Sequence, residues 1–135
     1  MHPPYEKLHQ DGSAAGNATL ITPAIACDDF ALDPWGFAYV ASPRNAVLRL
    51  DTRTGAQLVV AGSFNQSSSD IISASSARFG VGDSDRSSLY VTTNEGAFVG
   101  APMGSQGVSR VDVGDLARVG RRGEGWGGGR GVVGL

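Results

Sequence analysis

Cysteine occurs once in the 135 residues, at Cys27, so no internal disulfide can form and no cysteine-based metal site is available. Histidine occurs twice, at His2 and His9, and neither stands at a metal-ligand spacing. Charge of one sign is also missing. The formal net charge is −2, which points to neither nucleic acid nor a membrane surface as a partner. No apolar run approaches the roughly 18 residues of a spanning helix. The opening MHPPYEKLHQDG has no apolar stretch of the secretory kind, and the compartment stays open: cytoplasmic, or secreted if an N-terminal part is missing. No P-loop, dinucleotide fingerprint or nucleophile elbow is present.

What the chain does have is short apolar runs cut by turn residues. From Asp28 to Gly62 they read as four strands. Phe30 and Leu32 alternate with smaller residues, and Asp33-Pro34-Trp35-Gly36 forms a turn. Phe37 to Ser42 is a second strand, turned back by Pro43-Arg44-Asn45. Ala46 to Asp51 is a third, and after Thr52-Arg53-Thr54-Gly55 a fourth runs from Gln57 to Ala61. Runs of about 5 residues between Gly, Pro, Asn and Asp clusters are the mark of a β-meander. A four-stranded meander is one blade of a β-propeller.

A propeller repeats, and this pattern does. Ala77 to Gly82 matches the first strand, with Phe79 and Val81 at the places of Phe30 and Leu32. Leu89-Tyr90-Val91-Thr92-Thr93 matches Ala38-Tyr39-Val40-Ala41-Ser42, and Val108-Ser109-Arg110-Val111-Asp112 matches Val47-Leu48-Arg49-Leu50-Asp51. The expected fold is all-β: a partial β-propeller of about two four-stranded blades, 28–62 and 76–113, within 23–117. Residues 1–22 read as the remnant of a preceding blade, a hairpin around Asp11 to Gly16. A closed propeller needs at least four blades of about 40 residues, so the chain reads as a fragment.

Several residues invite a functional reading. Tyr39 suits packing between neighbouring blades, with its hydroxyl reaching an edge. Trp35, in a turn, is either a lid over the blade's apolar end or a stacking surface for a ligand. The polar connector 62–76 holds Ile71-Ile72 as an anchor. The insertion from Asn94 to Gly107 is a candidate rim for a channel mouth. Asn17-Ala18-Thr19 and Asn65-Gln66-Ser67 fit the glycosylation sequon. From residue 118 on, four of the eleven basic residues meet one acid, Glu124, and half of residues 120–135 are glycine. That composition predicts a disordered Gly/Arg tail.

DDFALDPWGFAYVASPRNAVLRLDTRTG, together with the strand Val108 to Asp112, resembles a blade of the senescence-marker-protein/gluconolactonase family, in its fungal form. The resemblance covers about residues 5–115, and the related NHL repeat shares the Asn45 and Arg49 positions. It implies a six-bladed propeller with a divalent metal, usually calcium, in its channel, hydrolysing a lactone or ester. A hard cation of that kind wants about 6–8 oxygen ligands and would polarise the substrate and activate water. Only Asp28 falls on a family ligand position. Asp29, offset by one, would point the other way. With one carboxylate, this chain alone is expected to be inactive. Two alternatives stand beside the hydrolase: a non-catalytic scaffold of NHL type, and a propeller pocket that shapes a biosynthetic intermediate. Self-association through exposed blade edges is also expected.

Overall fold

The computed structural model describes residues 8–64, 70–94 and 106–116. They form seven strands in two antiparallel sheets. The first sheet holds β1 (Asp29–Leu32), β2 (Phe37–Ser42), β3 (Ala46–Asp51) and β4 (Gln57–Gly62), in sequential order. The second holds β5 (Ala74–Phe79), β6 (Ser88–Thr93) and β7 (Gly107–Asp112), also in sequential order. The all-β meander reading holds, with three strands rather than four in the second sheet among the described residues.

Turn chemistry explains the hairpins. Asp33 Oδ1 accepts from the backbone N–H of Trp35 at 2.9 Å and of Phe37 at 3.0 Å, closing the β1–β2 turn with its own side chain. Asn45 turns β2 into β3 with φ +70°, a left-handed conformation that Asn tolerates better than most residues. Its carbonyl accepts from Ser63 N–H at 2.9 Å, and its side-chain Oδ1 accepts from Ser73 N–H at 3.0 Å. One asparagine therefore ties the β2–β3 turn to the end of β4 and to the start of β5. Gly62, at φ +74°, permits this approach, because a Cβ there would stand 2.1 Å from the Asn45 carbonyl oxygen.

The two sheets pack face to face. Ala31, Phe37, Tyr39, Ala41 and Val47 of the first sheet meet Ala74, Ala77, Leu89 and Val91 of the second. The alanines keep the sheets close, so the larger side chains interdigitate. Tyr39 is fully buried, and its ring stands edge-on to Phe79 of the second sheet, centroids 5.2 Å apart. Ile71 and Ile72 are buried as the connector reading expects.

The faces turned outward differ. In the first sheet, Phe30, Val40, Leu48 and Val59 form one cross-strand row on the far side from the second sheet. Ile21 and Ile25 pack over Val40 and Leu48, while Phe30, Leu32 and Val59 remain 49%, 59% and 40% exposed. The outer face of the second sheet instead carries Tyr90, Thr92 and Arg110.

Three sequence expectations change. The strand expected at Ala77 to Gly82 lies earlier, at Ala74–Phe79, and Val81 is almost fully exposed. Asp85 causes this: its carboxylate accepts from Gly82 N–H at 2.8 Å and fills the space beside Gly80, so the chain turns there. Pairing also moves the repeat by two residues. Leu32 pairs with Ala38 and Phe79 with Leu89, so Phe79 takes the place of Leu32, not of Phe30. Finally, among the described residues the hairpin around Asp11 shows one bridge, Leu8 with Ala14, and residues 17–22 form no strand, while residues 1–7 lie outside the described residues. The Asp11 carboxylate bonds both the N–H and the hydroxyl of Ser13, giving a tight local turn, and Ile21 then docks on the first sheet.

A candidate binding cleft between the sheets

At one end of the two sheets, where the β1–β2 turn faces the end of β7, lies a cleft of about 1010 Å³. Its apolar walls are Leu32, Trp35, Val60, Phe79, Val113 and Leu116. Its polar rim is Arg86, Ser87, Asp112 and Asp115, and Asp33 stands at its side. The β1–β2 turn positions Trp35, and a second turn braces it. Thr52 donates both its N–H and its hydroxyl to the carbonyl oxygen of Gly36, at 3.2 and 2.6 Å. The short helical turn 114–116 after β7 brings Leu116 to the far wall, with Val113 held by a 2.8 Å bond to the Ser87 carbonyl. Trp35 packs against the core between the sheets and also lines the cleft.

Behind the wall lies a buried polar cluster. Asp33, Tyr39 and Arg49 are 8%, 0% and 2% exposed. Tyr39 and Arg49 are directly opposed on β2 and β3. The Arg49 guanidinium sits 3.7 Å from the centre of the Phe37 ring, a cation–π contact in a desolvated setting. Burial pushes the Tyr39 phenol up to about 12, with Arg49 pulling the other way and the Asp33 carboxylate adding to the rise. Burial lowers the Arg49 pKa, opposed by Tyr39, Asp33 and Asp51. Close as they are, Asp33 Oδ2 and the Tyr39 hydroxyl fall short of hydrogen-bond geometry, and neither meets another partner among the described residues. The edge expected for the Tyr39 hydroxyl is therefore the buried cluster, not solvent.

The rim is largely self-paired. Arg86 Nη2 lies 2.7 Å from Asp83, and Asp112 Oδ1 accepts from Arg110 Nε at 3.0 Å and from the Ser88 hydroxyl. The Ser88 bond, and next Arg110, hold the Asp112 carboxyl below its usual value.

Asp28 is exposed at the head of β1, and its N–H donates to the Ala41 carbonyl at 3.0 Å. The neighbouring Asp29 makes the contacts. Its Oδ2 accepts from the Ser76 hydroxyl at 2.7 Å, from Arg78 Nη1 at 2.8 Å and from Ala77 N–H at 3.4 Å. It thus pins β1 to β5. The Ser76 bond is the chief cause that holds its carboxyl below the usual value, with backbone donors and Arg78 adding to it. Among the described residues, no three His, Cys, Asp or Glu side chains gather as a metal site. Asp28 by itself falls well short of the 6–8 oxygens calcium takes.

No family model matches the sequence, and no curated protein matches it significantly. The functional reading therefore stands on the cleft and its contacts.

Of the other candidates, Cys27 is exposed and Asn17 is exposed, while Asn65 and residues 118–135 lie outside the described residues. The rim expected from Asn94 to Gly107 has residues 95–105 outside them too. Its flanks, Asn94 and Gly107, sit at the far ends of β6 and β7, away from the cleft. From the sequence, Asp29, Asp33 and Arg49 were named but given no place in a site. Signals existed for two of them. Asp before Pro in a turn invites side-chain closure, and an arginine inside Val-Leu-Arg-Leu asks for a buried partner.

Proposed function

We propose that the two sheets are neighbouring blades of a β-propeller and that the cleft between them binds a small, mainly apolar organic molecule without catalysing a reaction. Head-to-tail packing supports the propeller part. Tyr39 and Tyr90 are equivalent in the repeat; Tyr39 faces the second sheet, and Tyr90 faces away from the first. Each sheet therefore turns the same side forward, as stacked blades do. The observation that carries the binding part is the cleft itself, with Trp35 and Phe79 in its walls and acids on its rim. Apolar walls with a few placed polar groups are the usual makeup of a small-molecule site, and the volume is of that order.

Titration with N-phenyl-1-naphthylamine, a neutral apolar probe, tests this. Probe fluorescence is expected to rise and saturate, and Ser87→Trp, which fills the rim, is expected to weaken binding at least tenfold. Phe30→Ser, on the outward face, leaves it unchanged. Equal binding by the Ser87→Trp variant would overturn the reading.

A second reading, part of a calcium-dependent lactone or ester hydrolase, rests on the resemblance and on the exposed position of Asp28 at the head of β1. It requires that calcium raise the melting temperature of the chain, and that Asp28→Ala abolish the rise.

A further inference from the structure

Among the described residues, β7 pairs with β6 alone, whereas β3, its counterpart in the repeat, is paired on both sides. Among the described residues nothing pairs with the outer edge of β7, and on its outward face Val108 is 68% exposed and the side chains of Arg110 and Asp112 are 52% and 68% exposed. An open edge is a template for another strand. Which strand fits depends on the direction of the backbone groups. Val113 N–H donates to the Ser87 carbonyl beside β6. Backbone groups alternate along a strand, so the N–H and C=O of Ser109 and of Val111 also face β6. Those of Val108, Arg110 and Asp112 face outward.

We infer that β7 pairs antiparallel with β7 of a second copy of this chain, about a two-fold axis at Val111. An outward pair must join two even-numbered residues whose side chains share a face. Centring on Val111 places Arg110 opposite the second copy's Asp112, twice over by symmetry, with both backbone bonds of each pair made. It also sets Val111 against Val111 on the face that packs toward the core. Centring on Arg110 sets like charges opposite each other, which destabilises a ladder. Centring on Ser109 sets Arg110 against Val108 and leaves Asp112 without a cross-strand partner of opposite charge. Of these registers, the one at Val111 is complementary in charge. The Arg110–Asp112 ion pair seen within one strand, at 3.0 Å, is exchanged for the same pair between strands. The interface is isologous and closed, so it yields a dimer and not a filament. Asp112 also stands on the rim of the cleft, whereas Arg110 does not line it, so Arg110→Asp tests the dimer apart from what the cleft binds.

Sedimentation equilibrium on the full chain at low salt tests it. The wild type is expected to be dimeric. Arg110→Asp and Asp112→Arg each place like charges across the axis and are expected to weaken the dimer at least tenfold. An equimolar mixture of the two variants restores opposite charges and is expected to recover it. A monomeric wild type overturns the inference, and so does undiminished dimerisation by either variant, which would put the contact on another surface. Where a charge variant loses its β-type circular dichroism, Val111→Cys in a Cys27→Ser background decides instead. Directly opposed residues of a non-hydrogen-bonded pair lie about 4.5 Å apart at Cα, within disulfide range. Mild oxidation is then expected to give a covalent dimer, and its absence overturns the inference.

Discussion

Asp29 and Tyr39 show how two residues of the same small region contribute in opposite senses. Asp29 joins the sheets through three donors on one carboxylate oxygen. Its pKa is depressed in the folded chain, so its contribution is present above the unfolded value and is lost as pH falls through the folded one. Asp29→Asn is expected to cost about 1–2 kcal/mol near neutral pH and to flatten part of the loss of stability in acid. Urea unfolding at several pH values between neutral and acid checks this, and a variant with the wild-type acid limb contradicts it. Tyr39 buries its ring usefully, and its hydroxyl meets no hydrogen-bond partner among the described residues. Tyr39→Phe is therefore expected to match or exceed wild-type stability by up to about 1 kcal/mol, since an unsatisfied buried hydroxyl is removed. Tyr39→Ala, which leaves a cavity beside Phe79, is expected to cost about 3–5 kcal/mol. Both are read from thermal melts.

Elements are held by their turns more than by strand length. The Asn45–Gly62 contact fixes where β4 ends and where β5 begins, because the Asn45 side chain accepts from Ser73 while its carbonyl accepts from Ser63. Gly62→Ala forces a Cβ against that carbonyl at a left-handed φ and is expected to cost about 1–3 kcal/mol. The loss should appear first as faster amide exchange at Ser63 and Ser73, with the middle of β2 and β3 protected. Strand existence was legible from Val, Leu and Tyr alternation at 37–42, 46–51 and 57–62, where both the propensity and the turn residues agree. The β5 boundary was not. Its residues, Ala-Ser-Ser-Ala-Arg-Phe, carry little apolar signal, and what makes them a strand is burial of Ala74 and Ala77 against the first sheet. The Asp85 turn that ends it depends on a carboxylate three residues beyond Gly82.

Across the molecule, the two outer faces are unequal. The first sheet is apolar on both sides, and one side is covered only by the segment holding Ile21 and Ile25 among the described residues. Fully burying one such side chain is worth roughly 1.5–3 kcal/mol, and Phe30 and Val59 forgo about half of that. Phe30→Ser with Val59→Ser, both on the outward row and outside the cleft lining, is expected to change stability by less than about 1 kcal/mol while lowering aggregation on heating, followed by light scattering. Val91→Ser, at the packed interface, is expected to unfold the chain. A large loss from the outward pair would mean that this face is covered by more than the described residues.

Sequence by itself determined that the chain is all-β, where its first four strands lie, and that the pattern recurs, because alternation and turn residues act locally. It also marked Trp35 and Tyr39 as residues to follow. Tertiary structure alone decided that Asp29 and not Asp28 bridges the sheets. In a pleated strand adjacent residues point to opposite faces, and which face meets a neighbour depends on packing between segments nearly 50 residues apart. The same holds for the cleft, whose walls come from four separate stretches of the chain. No local pattern encodes their meeting; burial of the two sheets against each other produces it.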